Sequence, residues 1–228
     1  MIVVSSGQIE RFGSDYFDAG RVRRSRSLTR AVFKNGVLNW LRAKAPEVLA
    51  GQGKRALEIG CGYGYASELL AECGFRVLAT DISPHAIEKA RDEIRSDRVQ
   101  FAVWDAEDTI LSGRFDLIVA LEVIEHLPNP EEAIESWAQM LQPGGAILCT
   151  TPNRSSPLSR YWRDPTHINV RSKRGWVTAF TQAGPWKKLS LGTVQFIPFT
   201  WRLDGVMRFV PLPIAGSGIR ILAIKKDA

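Results

Sequence analysis

The sequence predicts an α/β fold, a mostly parallel sheet with helices on both faces. Three observations carry that reading. From Lys54 onward short apolar runs alternate with segments of helical apolar spacing. The first run, "RALEIG", leads straight into three glycines in five positions, Gly60, Gly62 and Gly64. Two later helices open on a polar residue followed by proline, Ser83-Pro84 and Asn129-Pro130, a cap and a first-turn signal in sequence. Parallel strands need crossover connections, which helices supply, and such sheets bind ligands at the carboxyl ends of their strands.

Each element has its own reason. Residues 1–50 read as an irregular start followed by a helix over Ala31–Ala43, where Val32, Phe33, Val37, Leu38 and Leu41 recur at near-helical spacing and Pro46 ends the run. "RALEIG" is a buried strand. Tyr65–Cys73 is a helix with Gly74 past its end as a stop. "RVLATD" is the second strand, and the helix from Ser83-Pro84 runs to about Arg95. "VQFAVWD" and "FDLIVAL" are strands three and four. Asn129-Pro130 opens a helix to about Leu141, and "GGAILCTTP" is strand five. Residues 171–183 have helical spacing. "WKKLSLGTVQF" and "GIRILAIKK" are two late strands.

A length of 228 residues suits one domain, or one domain with a small elaboration, and can bury a real core. An apolar share of 45% and a mean hydropathy of −0.10 describe a globular protein without a membrane-length apolar run. Cys61, Cys73 and Cys149 are odd in number and widely spaced, so they read as reduced thiols in a cytoplasmic protein. "MIVVSSGQIERF" turns polar too soon for a signal peptide. The net charge is +6, and "RVRRSRSLTR" at 21–30 holds five arginines. That segment is either a patch for an anionic partner or a solvated helical arm; without interleaved aromatics it is a poor single-strand binder.

The glycines discriminate among ligands. A P-loop needs Lys-Ser or Lys-Thr after its last glycine, where Tyr65-Ala66 stands. The dinucleotide fingerprint needs a glycine where Tyr65 stands. An acidic residue followed by G-x-G-x-G is present, as Glu58, Gly60, Gly62 and Gly64. "LEIGCGYG" resembles motif I of the class I S-adenosylmethionine-dependent methyltransferases. "FDLIVALEVIEHL" and "LQPGGAILCTTPN" are similar to the same family's strand-four and strand-five segments, so the resemblance covers roughly residues 54–153. It implies a Rossmann-like sheet of seven strands with the last antiparallel, and S-adenosyl-L-methionine as cofactor. It also implies a contact set of Glu58, Gly60, Cys61, Gly62, Tyr63, Gly64, Asp81, Ile82, Asp105, Ala106, Glu107, Leu121 and Glu122. Within that set Asp81, ending strand two, would accept both ribose hydroxyls. Asp105 would accept from the adenine amino group, and the Ala106 amide would donate to the ring. Glu58 would add negative charge below the loop, unwelcome to a pyrophosphate.

"LEVIEHLP" places Glu122, Glu125 and His126 after strand four, on one face if the segment is a helical turn. "RDPTHINV" adds Asp164 and His167. Two carboxylates and two imidazoles can bind a divalent metal. The resemblance to ubiquinone-pathway O-methyltransferases, whose Glu-x-x-Glu-His stretch uses magnesium, maps a ligand set onto Glu122, Glu125, His126 and His167. The small-RNA 3′-end 2′-O-methyltransferases offer a similar set. The alternative is that Glu122 borders the cofactor pocket while His126, His167 or Glu125 acts in proton transfer.

The expected organisation is an N-terminal helical segment and acceptor lid at 1–50, then a cofactor-binding domain at 51–228 with substrate-cap insertions at about 153–170 and 196–217. Tyr16, Phe17, Tyr161 and Trp162 are candidates to stack on an acceptor or to form lid core. The expected function is O-methylation of a small molecule or glycan. A catalytically inactive cofactor-binding module and an RNA 3′-end ribose methyltransferase are the alternatives. Nucleic acid is not the expected partner, peripheral membrane contact stays open, and the chain is a monomer or homodimer.

Overall fold

The computed structural model describes residues 12–19, 26–108, 111–160, 164–197, 208–212 and 215–227. Eight strands form one sheet: β1 (Arg55–Ile59), β2 (Arg76–Asp81), β3 (Val99–Val103), β4 (Phe115–Leu121), β5 (Leu141–Pro152), β6 (Trp186–Ile197), β7 (Arg208–Pro211) and β8 (Gly218–Lys225). Their order is β3-β2-β1-β4-β5-β8-β6-β7. The first five are parallel, and β8 runs antiparallel to both β5 and β6. The antiparallel last strand agrees with the expectation. The count of seven does not, because part of the insertion expected as a cap forms β7 and pairs with the Val194–Ile197 end of β6.

Strand order reverses between β1 and β4, which makes that point the topological switch. Alternate residues of each strand go to opposite faces. Ala56, Val77, Val119, Leu148 and Leu222 face one core, shared with the N-terminal helix and with α2 (Tyr65–Glu72) and α3 (Pro84–Glu93). Leu57, Ile118, Ile147 and Ile221 face the other, filled by Trp137 of α4 (Pro130–Met140) and by Trp176 and Phe180 of α5 (Lys173–Ala183).

The N-terminal helix, α1, spans 26–44 rather than 31–43. It is α-helical over Arg26–Val32, widens to π geometry over Phe33–Leu38, and returns to α over Asn39–Lys44. Its first turn is longer than apolar spacing suggests because tertiary charge pairs hold it. Arg26 and Arg30 pair with Glu68, and Arg30 also pairs with Glu72, both on α2. Arg21, Arg23 and Arg24 of the basic segment lie outside the described residues.

The stop at Gly74 forms as expected. Its φ is +97°, Gly74 N–H donates to Ala71 O at 2.9 Å, and Phe75 N–H donates to Leu70 O at 3.3 Å, the pair of bonds that closes a helix through a left-handed residue. Ser83 caps α3 through Ala86 N–H at 3.3 Å. Asn129 does not cap α4 with its side chain; its N–H donates to Glu107 Oε1 at 3.2 Å, and Pro130 alone begins the helix. The helix expected over 171–183 begins at Lys173 because Ser172 is its cap, accepting from Gly175 N–H at 3.2 Å. All three cysteines are free. No helix among the described residues is long and apolar enough to cross a membrane.

Candidate active site

The glycine turn leaves β1 at the switch point. Gly60, Gly62 and Gly64 have φ of +69°, +52° and +78°, the left-handed region that glycine alone enters without cost. Space forbids side chains as well. A Cβ on Gly60 would lie 2.5 Å from Val123 Cγ2, and one on Gly64 would lie 2.8 Å from the Phe101 ring. The turn is held from below. Cys61 N–H donates to Thr80 O at 2.9 Å, and Gly62 N–H donates to Asp81 Oδ2 at 2.8 Å. Burial pushes the Cys61 thiol well up, so Cys61 contributes shape rather than a thiolate.

Asp81 ends β2 beside this turn and is buried. Its other oxygen accepts from Ser83 N–H at 2.9 Å. Burial raises its pKa, while the amides of Ser83, Gly62 and Ile82 oppose the rise. Each oxygen is thus fixed by one amide and retains a lone pair for a further donor. Asp105 lies after β3, also buried, and accepts from Glu107 N–H at 3.0 Å; burial raises it too. The Ala106 carbonyl accepts from Trp137 Nε1 at 3.4 Å, which fixes that loop over α4.

Glu58 behaves differently from the expectation of a negative charge beneath the loop. It is fully enclosed in β1, Ser67 Oγ donates to it, and burial pushes its pKa up to about 8. At neutral pH it carries its proton, because a carboxylate there would lose its water without gaining a cation. Its visible role is to tie β1 to the first turns of α2.

After β4 the chain turns sharply. Leu121 ends the strand, and Glu122 has φ of +56°, the one non-glycine positive φ among the described residues, while its N–H still donates to Thr150 O at 2.9 Å. Backbone strain of this kind collects at functional sites. A short 3-10 turn, Ile124–His126, follows. Glu122, exposed, precedes that turn, so the expected shared helical face does not form. Glu125, His126 and His167 do come together, with one ligand atom from each within 4.8 Å of the others. His167 Nε2 is 3.9 Å from Glu125 Oε1, and the two imidazole centroids are 4.7 Å apart. Among the described residues neither Glu125 oxygen has a hydrogen-bond partner, although the residue is fully buried. Burial first, and the Glu122 charge second, hold its pKa well above the usual carboxylate range.

The loop carrying His167 is sewn to this turn. Ile168 N–H and Asn169 N–H donate to Glu125 O at 3.0 and 2.8 Å, and Asn169 Nδ2 donates to Leu127 O at 2.5 Å. His126 Nδ1 lies 3.1 Å from Thr166 O. A proton on Nδ1 donates there and leaves the lone pair on Nε2. Asp164 shapes the loop by accepting from both Thr166 N–H and Thr166 Oγ1, at 2.9 and 2.6 Å.

The N-terminal segment lies across the same mouth. Phe17 is buried over Gly62, 3.6 Å from where its Cβ would be, and its ring is 5.6 Å from that of Tyr63. Phe12 meets His126 edge-on at 5.5 Å. The Tyr16 hydroxyl is pushed up to about 12 by burial and then by Asp164, with Glu125 and Asp81 adding to it. Asp18 fastens the segment, accepting from Tyr63 OH and lying 3.0 Å from His85 Nε2. The sequence singles out Tyr16 and Phe17 but not Phe12, Asp18, His85, Thr166 or Asn169. No local pattern marks them, because their partners lie far away in the chain. Tyr161 and Trp162 lie outside the described residues.

A doubly wound sheet with a left-handed glycine turn at its switch point and an acidic residue at the end of the adjoining strand is an arrangement of the Rossmann-like type. A family model described as a methyltransferase domain matches residues 33–185, and the chain belongs to that family. The ubiquinone biosynthesis O-methyltransferase of Azoarcus sp. (strain BH72) is 36% identical over 107 residues, 45% of this chain and 46% of that protein. The chain thus matches under half the length of this curated relative. In fold it is similar to S-adenosylmethionine-dependent methyltransferases of Archaeoglobus fulgidus and Mesorhizobium loti. The first has a TM-score of 0.66 and 18% identity, covering 92% of this chain and 97% of that one. The second has a TM-score of 0.62 and 18% identity, covering 82% and 96%.

Proposed function

We propose that the chain methylates an oxygen of a small molecule or glycan, using S-adenosylmethionine. The observation that carries this reading is the juxtaposition of the glycine turn and Asp81 with the Glu125–His126–His167 group at one mouth of the sheet. The cofactor fits the residues present. The turn admits no side chain, so backbone can approach the amino acid portion, and Asp81 retains acceptor capacity on both oxygens for a ribose diol. Asp105, with the Ala106 amide, suits the adenine edge; Ile82, Glu107 and Leu121, at or just past the ends of neighbouring strands, would border the bound cofactor. Bound there, S-adenosylmethionine supplies a methyl group already on a sulfonium leaving group.

The chain's own work is then positioning and proton removal. Proximity in a site that excludes water supplies most of the barrier reduction for such a transfer. Phe12, Tyr16 and Phe17 provide that cover, which supports reading the N-terminal segment as the acceptor lid of the domain that follows. The Nε2 of His126 or His167 accepts the acceptor's hydroxyl proton. Turnover of methyl-labelled cofactor on quinol precursors, sugars and RNA ends tests this. Labelled sugar or quinol supports the proposal. Normal cofactor binding without any labelled product would instead identify an inactive binding module, and labelled RNA ends would identify the nucleic-acid enzyme.

A second reading concerns a metal. Glu125, His126 and His167 form a carboxylate and imidazole donor set with two unpartnered buried oxygens, which fits a divalent cation. Two imidazoles favour zinc, manganese or iron over magnesium, and Glu122 stands outside the group. Such an ion would lower the pKa of an acceptor hydroxyl. Elemental analysis of the purified protein, with turnover in chelator, tests it: no bound metal and full chelator resistance would remove the metal and leave the histidines as bases.

A further inference from the structure

A second concave site lies away from the cofactor mouth. β7 pairs only with the Val194–Ile197 end of β6, and among the described residues no strand pairs with the rest of that outer edge. Along it runs a groove of about 600 Å³, walled by Trp40 and Lys44 of α1 on one side and by Lys173 and Val177 of α5 on the other. In the sheet order β6 is three strands and β8, which carries Arg220, two strands from β4, roughly 14 and 10 Å at about 4.8 Å per strand, so the groove lies apart from the Glu125 group.

Arg220 forms its floor. It stands opposite Thr150 of β5 and Gly192 of β6, on the same face of β8 as Leu222 and Ile224, where an apolar side chain would be expected. It is only 7% exposed. Nη1 donates to Gly36 O at 2.7 Å, and the guanidinium lies 5.0 Å from the centre of the Trp40 ring. Among the described residues Nε has no hydrogen-bond partner and no carboxylate pairs with the side chain. Burial alone lowers its pKa, to about 10, with no anion opposing that fall. A guanidinium carries five N–H donors, and a single carbonyl with an aromatic face leaves most of them unused. Gly192 lies beside both groups: a Cβ there would be in ordinary contact with Trp40 Nε1 at 3.5 Å and Arg220 Nη2 at 4.0 Å.

Among the described residues the lining holds three cations, Lys44, Lys173 and Arg220, and no acidic side chain. Tying α1 to the sheet through Gly36 explains one Arg220 bond. It does not explain the unpaired charge, which a buried apolar residue would avoid. We infer that this groove binds a phosphoryl oxyanion, with Arg220 as the buried anchor and with Lys44 and Lys173, the exposed cations of the lining, adding positive charge at its rim. Arg with Lys is the pairing suited to such groups, the planar fork fixing geometry and the ammonium groups adding point charge.

Pyrophosphate titrated into the full chain by calorimetry tests the inference, with phosphatidylglycerol vesicles as a parallel arm. Saturable binding of pyrophosphate assigns the site to a soluble ligand. Vesicle binding without pyrophosphate binding assigns it to a lipid headgroup. Either supports the oxyanion site if a Lys44→Gln, Lys173→Gln double variant weakens it at least about tenfold while S-adenosylhomocysteine binding stays unchanged. Arg220→Met should abolish it; were that variant not to fold, the double variant decides. Absence of binding in both arms, or equal affinity in the double variant, overturns the inference and leaves the proposed methyl transfer untouched.

Discussion

Asp81 carries the cofactor assignment at the scale of single residues. Both of its oxygens are already oriented by backbone amides of Gly62 and Ser83, so a ribose would meet a preset acceptor rather than a mobile one. Asp81→Ala should weaken S-adenosylhomocysteine binding at least about tenfold by calorimetry, through loss of charge-assisted hydrogen bonds. Unchanged affinity would remove the ribose role. His126 belongs to the other half of the site. His126→Ala should lower turnover far more than cofactor affinity; equal losses in the two would mean that the ring only packs against Phe12 and His167. Between these two residues sits Glu122, whose left-handed backbone costs about 1–2 kcal/mol for a side chain other than glycine. The strain turns the chain from the end of β4 into the Glu125 turn without breaking the bond to Thr150.

The N-terminal strap is the element that covers the mouth at the carboxyl ends of the strands. Phe17 covers the glycine turn, Phe12 reaches His126, and Asp18 fastens both ends of the contact to Tyr63 and His85. Asp18 is exposed, so its contacts are screened and add little to global stability. Their value lies in holding the strap down. Asp18→Ala should therefore raise the KM for cofactor and speed proteolysis within residues 12–19, with thermal unfolding of the domain unchanged. Wild-type proteolysis and KM in that variant would count against a fastened strap. The pairs of Arg26 and Arg30 with α2 do the same for α1, and they explain why a helix begins among arginines with no apolar stripe.

The whole molecule should respond to pH through its buried carboxyls. Glu58 is pushed up to about 8 by burial, against 4.5 when unfolded. Below 4.5 both states hold the proton and pH has no leverage. Between 4.5 and about 8 the folded chain retains a proton that the unfolded chain has lost, so stability falls as pH rises, by up to about 1.4 kcal/mol per pH unit. Above 8 the effect levels off. Asp81 and Glu125, also raised by burial, act with the same sign. Glu58→Gln should flatten the decline in denaturant midpoint between about pH 5 and pH 8; an unchanged slope would mean that Glu58 is ionised in the folded chain.

Much of this was legible in one dimension. Glycines at Gly60, Gly62 and Gly64, the aspartate at the end of "RVLATD" and the Ser83-Pro84 start are local devices, fixed by backbone conformation over a few residues. Apolar alternation is local too, and it marked seven of the eight strands, most helix boundaries and hence the parallel sheet with its ligand end. What only the tertiary structure decided depends on groups far apart in sequence. Glu125 meets His167 far along the chain, and Asp18 meets Tyr63 across a longer gap. Glu58 holds its proton because the surrounding core excludes water, and Arg220 lies beneath Trp40 because α1 crosses the sheet there. Burial and long-range contact are properties of packing, and no short stretch of sequence encodes them alone.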